Sequence, residues 1–194
     1  MTIRKGEAWG SPGRLAPDAP RADSDAEAAA LVAAGARELR ITGGDLARTL
    51  GVNERTLSRD EQMLLPIDVL QVEFADGSHR LAVAHVVYSR GGRPRWVAMN
   101  AAFVGTWNIA PRAHPGDGKV DLVTFDLGAV DWFKARSRLP TGTHVPHPQI
   151  TARAKASHDL APQRGGRLLI DGRRCDRRDV TRISIGEVTL TVGV

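Results

Sequence analysis

The sequence predicts an α+β protein in which a β-rich, sandwich-like domain follows a small α/β segment. From residue 65 onward, short alternating apolar runs are separated by Gly/Pro turns, which is typical of sandwiches and barrels. Residues 24–51 instead follow the order helix, strand, glycine turn, helix, which is typical of α/β nucleotide-binding folds. We therefore place the α/β segment at residues 1–52 and the β-rich domain at residues 53–194. The boundary falls in the polar, unperiodic stretch NERTLSRDEQ.

The first predicted helix has a recognisable beginning and end. Ser24 and Glu27 form an S-x-x-E capping box ahead of the alanine-rich run AEAAALVAAGA. Gly35 supplies the left-handed conformation at which such helices commonly end. The following RELRIT is a short β-type run that ends at Thr42.

A glycine turn then leads into a second predicted helix. Gly43 and Gly44 break the strand, Asp45 is placed to cap DLARTLG, and Gly51 closes that helix. A strand that runs into such a turn aims the free N–H groups of the helix N-terminus at one spot, which favours an anion there. Thr42 can add a hydroxyl donor. The alternative is an ordinary strand-to-helix turn with an aspartate cap.

The β-rich region is predicted as a series of hairpins. The runs IDVLQVEF and HRLAVAHVVYS flank a turn at Asp76-Gly77 and alternate in polarity, as the two strands of a hairpin do. Only residues 129–139 have a helical pattern in this region. Further strands are predicted at RWVAMNAAF, KVDLVTFDL, QITARAKASHDL, GRLLIDG and ISIGEVTLTVGV.

The charge of the chain bears on its partners. The net charge is +5, and apart from four lysines all 27 basic residues are arginine. The planar guanidinium suits phosphate, which favours acidic ligands such as nucleotides or anionic headgroups. The alternative is that the arginines simply lie on solvated faces. A nucleic-acid surface is not expected, because aromatic residues are only 5% of the chain and aspartates interrupt the RRCDRRD run.

The sequence also bears on location. Cys175 is the only cysteine, which excludes an internal disulfide and fits a reducing compartment. No run of eighteen apolar residues is present, and the N-terminal residues lack the apolar stretch of a secretory signal. We expect a cytoplasmic protein without a transmembrane segment.

Three ordered motifs resemble the diacylglycerol/lipid kinase family, within the NAD kinase/diacylglycerol kinase superfamily. The run TGGDLARTLGV, residues 42–52, resembles the family pattern G-T-x-N-D-F-A-R-T-L-G-I. The resemblance implies that Thr42, with Gly43, Gly44 and Asp45, binds the phosphates of ATP. The family's upstream G-G-D-G-T loop has no match, so the resemblance implies a truncated nucleotide-binding lobe.

The second motif, residues 99–125, resembles the family pattern N-G-x-x-x-G-G-G-x-x-I-A-P-x-A-x-x-x-D-G-x-L-D-V. The resemblance implies a structural Mg²⁺ held by the Asp117 carboxylate and the main-chain carbonyls of His114 and Lys119. Oxygen ligands suit this ion. The alternative is that PGDG is simply a β-turn.

The third motif is LLIDG, which resembles the family's D-G-E. The resemblance implies that Asp171 is the general base that takes the proton of the lipid hydroxyl. The alternative is that Asp171-Gly172 is a hairpin turn with arginines in solvent.

Upstream, GTHVPHP at residues 142–148 resembles the family's G-x-H stretch. Its two histidines allow a zinc site. Packed or exposed histidines are favoured instead, because no further ligand lies at suitable spacing.

Two functions follow from this resemblance. One is ATP- and Mg²⁺-dependent phosphoryl transfer to a lipid hydroxyl. The other is a degenerate, non-catalytic relative that binds a nucleotide, an anionic ligand or a partner protein. A homodimer is also expected, because edge strands of such domains often pair between subunits.

Overall fold

The structure is a computed structural model that describes residues 8–53, 62–144 and 146–194. Most of the stretch in which we predicted the domain boundary lies outside the described residues, and the division at residue 52 stays a prediction. The described residues form fifteen strands and three α-helices. The strands are β1 (Ser11–Gly13), β2 (Arg21–Ala22), β3 (Glu38–Ile41), β4 (Gln62–Phe74), β5 (His79–Ala82), β6 (His85–Arg90), β7 (Arg93–Met99), β8 (Phe103–Val104), β9 (Trp107–Asn108), β10 (Val120–Phe125), β11 (Ile150–Lys155), β12 (Ser157–Asp159), β13 (Arg167–Ile170), β14 (Arg173–Cys175) and β15 (Val180–Gly193). The helices are α1 (Asp25–Ala33), α2 (Gly44–Leu50) and α3 (Ala129–Arg138).

Two sheets form the sandwich that the sequence predicted. The first has the order β1-β4-β15-β3-β2, with β5 beside β4 and β12 beside β15. The second is antiparallel throughout, with the order β11-β10-β7-β6-β13-β14. The strands β8 and β9 form a separate two-stranded ribbon. The chain is therefore an α+β protein with a β-rich sandwich, as expected.

Side chains of the second sheet alternate between two cores. Val86, Tyr88 and Trp96 pack with residues of the first sheet, so this cluster fills the space between the sheets. Val87 and Val97 point the other way and pack with the buried side of α3. Both faces of the second sheet are thus covered, which explains why consecutive apolar residues occur in its central strands, as in VVY of β6 and WVAM of β7.

The predicted hairpin partner HRLAVAHVVYS is two strands rather than one. β5 pairs with β4 around the Asp76-Gly77 turn, as predicted, but β6 belongs to the second sheet. The chain crosses between the sheets at Val83 and Ala84, both fully buried. The alternation of polar and apolar residues cannot reveal such a crossing. The buried N–H and carbonyl groups of the crossing need hydrogen-bond partners, and these come from elsewhere in the chain.

The α/β segment is a β2-α1-β3-α2 unit. Its two strands are parallel, and β3 continues the first sheet by pairing with β15, also in parallel. The Ser24 half of the predicted capping box is confirmed, since Glu27 N–H donates to Ser24 Oγ at 3.4 Å. The Glu27 carboxylate instead accepts the N–H of Asp23, one residue before the N-cap, at 2.9 Å. Helix α2 ends at Gly51 with φ +72°, as predicted.

Asn100 is a sensitive point of this fold. Its Nδ2 donates to the carbonyls of Asp68 (2.7 Å) and Val83 (2.8 Å), and its side chain is buried. We expect Asn100→Ala to lower the free energy of unfolding by about 2–4 kcal/mol, because two buried carbonyls lose their donor. Urea unfolding measures this loss. Ser137→Ala, which removes an exposed hydrogen bond, is the control, and a loss no larger than in this control would contradict the assignment.

Candidate functional site

The N-terminus of α2, where the sequence predicted an anion, already holds one from the protein itself. The Asp25 carboxylate accepts the N–H groups of Asp45 (2.7 Å) and Leu46 (3.0 Å). The N-cap residue is Gly43, so the prediction that Asp45 caps this helix is wrong. Asp25 performs that role from the first turn of α1, twenty residues away in sequence.

The two glycines fit closely against this carboxylate. A Cβ at Gly43 would overlap the Asp23 carbonyl oxygen, and a Cβ at Gly44 would overlap the Asp25 carboxylate. Gly44 also has φ +95°, which other residues rarely adopt. The turn between β3 and α2 is therefore packed against residues 23–25.

Thr42, the predicted phosphate ligand, is engaged with β2. Its hydroxyl donates to the Ala22 carbonyl at 3.2 Å and accepts from Arg21 Nε at 3.2 Å. Its N–H also donates to the Ala22 carbonyl. Thr42 thus joins the two parallel strands, and its role in binding nucleotide stays a prediction.

Asp45 faces a buried histidine. His85 Nε2 lies 2.9 Å from Asp45 Oδ2, which also accepts the N–H of Gly105. Burial raises the pKa of Asp45, but the hydrogen bonds from His85 and Gly105 outweigh it and lower the pKa below its ordinary value. Burial lowers the pKa of His85, but the bond to Asp45 and the charge of Asp171 outweigh it, so this pKa is raised.

Asp171, the predicted general base, occupies the turn between β13 and β14. Its φ is +48° and that of Gly172 is +78°, and Ile170 pairs with Arg173, so the hairpin alternative describes its backbone. Its buried carboxylate accepts the N–H groups of Val83 (2.8 Å), Ala84 (2.9 Å) and His85 (3.0 Å). Burial raises the pKa of Asp171 to about 6, although His85 and these N–H groups act in the opposite direction.

Asp25, Asp45, His85 and Asp171 form what we call the acid–histidine cluster. Donor atoms of Asp25, Asp45 and His85 lie within 4.8 Å of one another, a spacing that a metal ion can use. Both Asp25 oxygens, however, accept helix N–H groups, and His85 Nε2 bonds to Asp45. These contacts already occupy both Asp25 oxygens and His85 Nε2, whereas His85 Nδ1 is buried and has no hydrogen-bond partner among the described residues. Sequence reasoning missed Asp25 and His85, since neither matches a family motif and each acts across a long sequence separation.

The predicted magnesium residues lie in a turn that carries concentrated negative charge. Asp117 Oδ1 accepts the N–H of Lys119 (3.0 Å), while the carbonyl of His114 accepts the N–H of Gly116. Sequence reasoning missed Asp68, whose carboxylate accepts the N–H of Gly118 at 2.7 Å. Burial and the charge of Asp117 both raise the pKa of Asp121. Lys119 Nζ already lies 3.7 Å from Asp117 Oδ2, and the His114 carbonyl accepts the N–H groups of both Gly116 and Asp117, as in the β-turn alternative. The Mg²⁺ site at Asp117 therefore stays a prediction.

His144 of the GTHVPHP stretch is a packed histidine. It is 2% exposed and stacks on Phe125 with ring centroids 6.5 Å apart. Burial lowers the pKa of His144. These surroundings are those of a packed histidine, which the sequence favoured over a zinc ligand.

A cavity of about 430 Å³ lies beside the acid–histidine cluster, between α1, β5 and the β13–β14 hairpin. Asp171 is part of its wall. One side of the cavity is a row of alanines from α1, and the other carries basic residues. The alanines are Ala26, Ala29, Ala30 and Ala33, and the basic residues are His79, Arg80, Arg173 and Arg174. The site thus combines a small apolar surface with positive charge.

Solved structures of diacylglycerol kinases have a similar fold. A diacylglycerol kinase from Bacillus anthracis str. Sterne matches with a TM-score of 0.52 and 14% identity, over 80% of this chain and 66% of that protein. A candidate diacylglycerol kinase from the same strain matches with a TM-score of 0.54 and 14% identity, over 80% of this chain and 68% of that protein. The chain thus spans about two thirds of the length of these structures. At this identity the similarity shows the fold alone, which is the fold that the motifs predicted.

No protein-family model matches the chain, and no curated protein matches its sequence.

The acid–histidine cluster predicts a pH dependence of stability. The stabilisation from His85 is complete below its ordinary pKa of 6.5 and is lost as the pH rises through the raised pKa of the folded state. The free energy of unfolding should therefore fall as the pH rises above 6.5. In His85→Gln, whose amide can still donate to Asp45 but does not titrate, this fall should be smaller. Urea unfolding between pH 6 and 9 measures both slopes, and equal slopes would refute the assignment.

Proposed function

We propose that this protein binds an anionic amphiphile, such as a lipid phosphate, in the cavity between α1 and the β13–β14 hairpin. The observation that carries the proposal is the composition of the cavity wall, in which arginines face a row of alanines. The diacylglycerol kinase-like fold supports the same class of ligand. In this proposal the protein binds the ligand without transferring phosphate from ATP.

The arginines of the cavity are available to a ligand. Among residues 8–53, 62–144 and 146–194, no carboxylate lies within ion-pair distance of Arg80, Arg173 or Arg174. All three are exposed, so their side chains can adjust to a headgroup. Guanidinium groups bind phosphate through paired hydrogen bonds, and hydrogen bonds to charged groups contribute about 1.5–3 kcal/mol each.

The alanine row suits the apolar part of such a ligand. Alanine presents only a methyl group, so the α1 side of the cavity leaves room that a longer side chain would fill. Each methylene of an acyl chain that leaves water there contributes about 0.8 kcal/mol. A ligand with a short apolar segment next to a phosphate would use both sides of the cavity.

The contacts at the α2 N-terminus argue against the binding of ATP phosphates at the predicted loop. Asp25 already occupies the N–H groups that a phosphate would need, and Asp45 adds a second carboxylate beside it. Asp23 and Glu27 lie in the same loop and first turn of α1. A phosphate brought to this point would meet like charges and would have to displace a carboxylate.

Filling the cavity tests the proposal. We expect phosphatidic acid in mixed micelles to bind wild-type protein and to bind Ala30→Trp at least about tenfold more weakly, because an indole takes the space of the apolar segment. Ala30 is exposed and lines the cavity, so the substitution should leave folding intact. Calorimetric titration measures the affinity.

Ala34→Trp is the matched control, since Ala34, the C-cap residue of α1, is also exposed but does not line the cavity. Phosphatidylcholine micelles control for apolar binding without net charge. Equal affinity of wild type and Ala30→Trp, or no binding of the anionic lipid, would remove the cavity as the site.

A second candidate function is phosphoryl transfer from ATP to a lipid hydroxyl, with Asp171 as general base. One observation favours it: Asp171 lines the cavity, and its pKa of about 6 is close to the range in which a base works at neutral pH. Thr42, Gly43, Gly44 and Asp45 would then bind ATP, and Asp117 would hold Mg²⁺ with the carbonyls of His114 and Lys119. Against it, both Asp171 oxygens accept backbone N–H groups.

An ATP-turnover assay separates the two functions. With diacylglycerol micelles, ATP and Mg²⁺, we expect no lipid phosphorylation above the protein-free rate, since Asp25 occupies the predicted phosphate position. Phosphorylation by wild type that is lost in Asp171→Asn would instead support the kinase function. Near-ultraviolet circular dichroism must show that this variant is folded, because Asp171 also binds the backbone at Val83–His85.

The sequence also predicted the location of the protein and its oligomeric state. No helix of the described residues is long and apolar enough to cross a membrane. The single cysteine, Cys175, is free and buried, which supports a reducing location such as the cytoplasm. The expected homodimer stays a prediction.

A further inference from the structure

Helix α3 carries apolar side chains on the side that faces away from the protein. Phe133 is 77% exposed and Val130 is 68% exposed, the highest values among the large hydrophobic residues that the structure describes. They are three residues apart, so they lie on one face of the helix. Trp132 and Ala135 are buried and anchor the opposite face. The core therefore does not account for Val130 and Phe133.

Basic residues surround this apolar face. Lys134 lies beside Phe133, and Arg136 and Arg138 flank the same helix, all three exposed. The only acidic residue of α3 is Asp131, which lies 4.0 Å from Lys134. The exposed side of the helix thus has apolar side chains in the middle and a net positive charge around them.

Aromatic contacts anchor the buried side of α3. The Trp132 ring packs edge-on against Trp107 and Phe125, each with ring centroids 5.9 Å apart. The Arg136 guanidinium lies 5.9 Å from the centre of the Trp107 ring. Because these contacts anchor the helix, Val130 and Phe133 are presented to solvent without any rearrangement of the fold.

We propose that α3 docks on the surface of an anionic lipid bilayer. Val130 and Phe133 enter the boundary between headgroups and acyl chains, while Lys134, Arg136 and Arg138 lie at the level of the lipid phosphates. Helices that lie in the membrane interface combine apolar side chains on the lipid side with basic residues around them. Cationic side chains near an anionic bilayer each add attraction, and this attraction is screened by salt. The proposal is independent of the cavity between α1 and the β13–β14 hairpin, since α3 packs on the outer face of the second sheet.

Vesicle co-sedimentation tests the proposal with the full chain. We expect binding to vesicles of phosphatidylglycerol and phosphatidylcholine, little binding to phosphatidylcholine alone, and weaker binding as NaCl is raised. Phe133→Ser should weaken binding to the mixed vesicles about tenfold or more, and Phe133→Trp should keep it. Lys134→Glu combined with Arg138→Glu should abolish the preference for anionic vesicles.

Met63→Ser is the matched control, because Met63, at 39%, is the other exposed large hydrophobic residue in the part of the chain that the structure describes, and it lies on β4. It should bind vesicles as wild type does. The proposal fails if wild type does not bind the mixed vesicles, or if Phe133→Ser and Met63→Ser bind equally. It also fails if the face instead pairs two copies of the chain, which light scattering would show as a dimer that Phe133→Ser dissociates and that does not bind vesicles.

Discussion

The crossing between the two sheets at Val83–His85 is the constraint on which the rest of the structure depends. Val83 and Ala84 are fully buried and His85 nearly so, so the N–H and the carbonyl of each residue need a partner within the protein. The Asp171 carboxylate accepts all three N–H groups. The Asn100 side chain donates to the Val83 carbonyl, and the N–H groups of Asn100 and Ala101 donate to the Ala84 carbonyl. The N–H of Asp171 donates to the His85 carbonyl. Every backbone polar group of the crossing is therefore satisfied, as a buried segment requires.

This crossing also places the candidate site. Because Asp171 holds the β13–β14 hairpin against the start of β6, the arginines after the turn face α1, and the cavity opens between them. The same crossing directs His85 toward Asp45, so α2 is fixed relative to the sandwich. The fold and the site thus share one set of buried polar contacts. A substitution at Asp171 changes both, which is why loss of activity in such a variant cannot by itself identify a catalytic base.

Features that depend on neighbouring residues could be predicted from the sequence, and features that depend on distant ones could not. The Ser24 cap, the end of α2 at Gly51 and the Asp171-Gly172 hairpin all follow from local turn and cap chemistry. The strands and the two-layer architecture follow from alternation and from the family resemblance. The Asp25 cap of α2 was missed, because the carboxylate comes from another helix and Asp45 offered a local cap. The switch of sheet at Val83 was missed because its partners are more than fifteen residues away.

At the segment around Thr42, the motif predicted the backbone conformation and a phosphate ligand, and these two predictions have different outcomes. Its glycines and the following helix produce a turn that aims N–H groups at one point, as the resemblance implied. The anion at that point is the Asp25 carboxylate, and Gly43 and Gly44 are needed so that the chain can approach residues 23–25. The same glycine-rich sequence can therefore pack against a carboxylate of the protein as well as bind a phosphate. The residues that distinguish the two roles lie outside the motif: Asp25 occupies the N–H groups of the turn, and His85 pairs with Asp45 beside it.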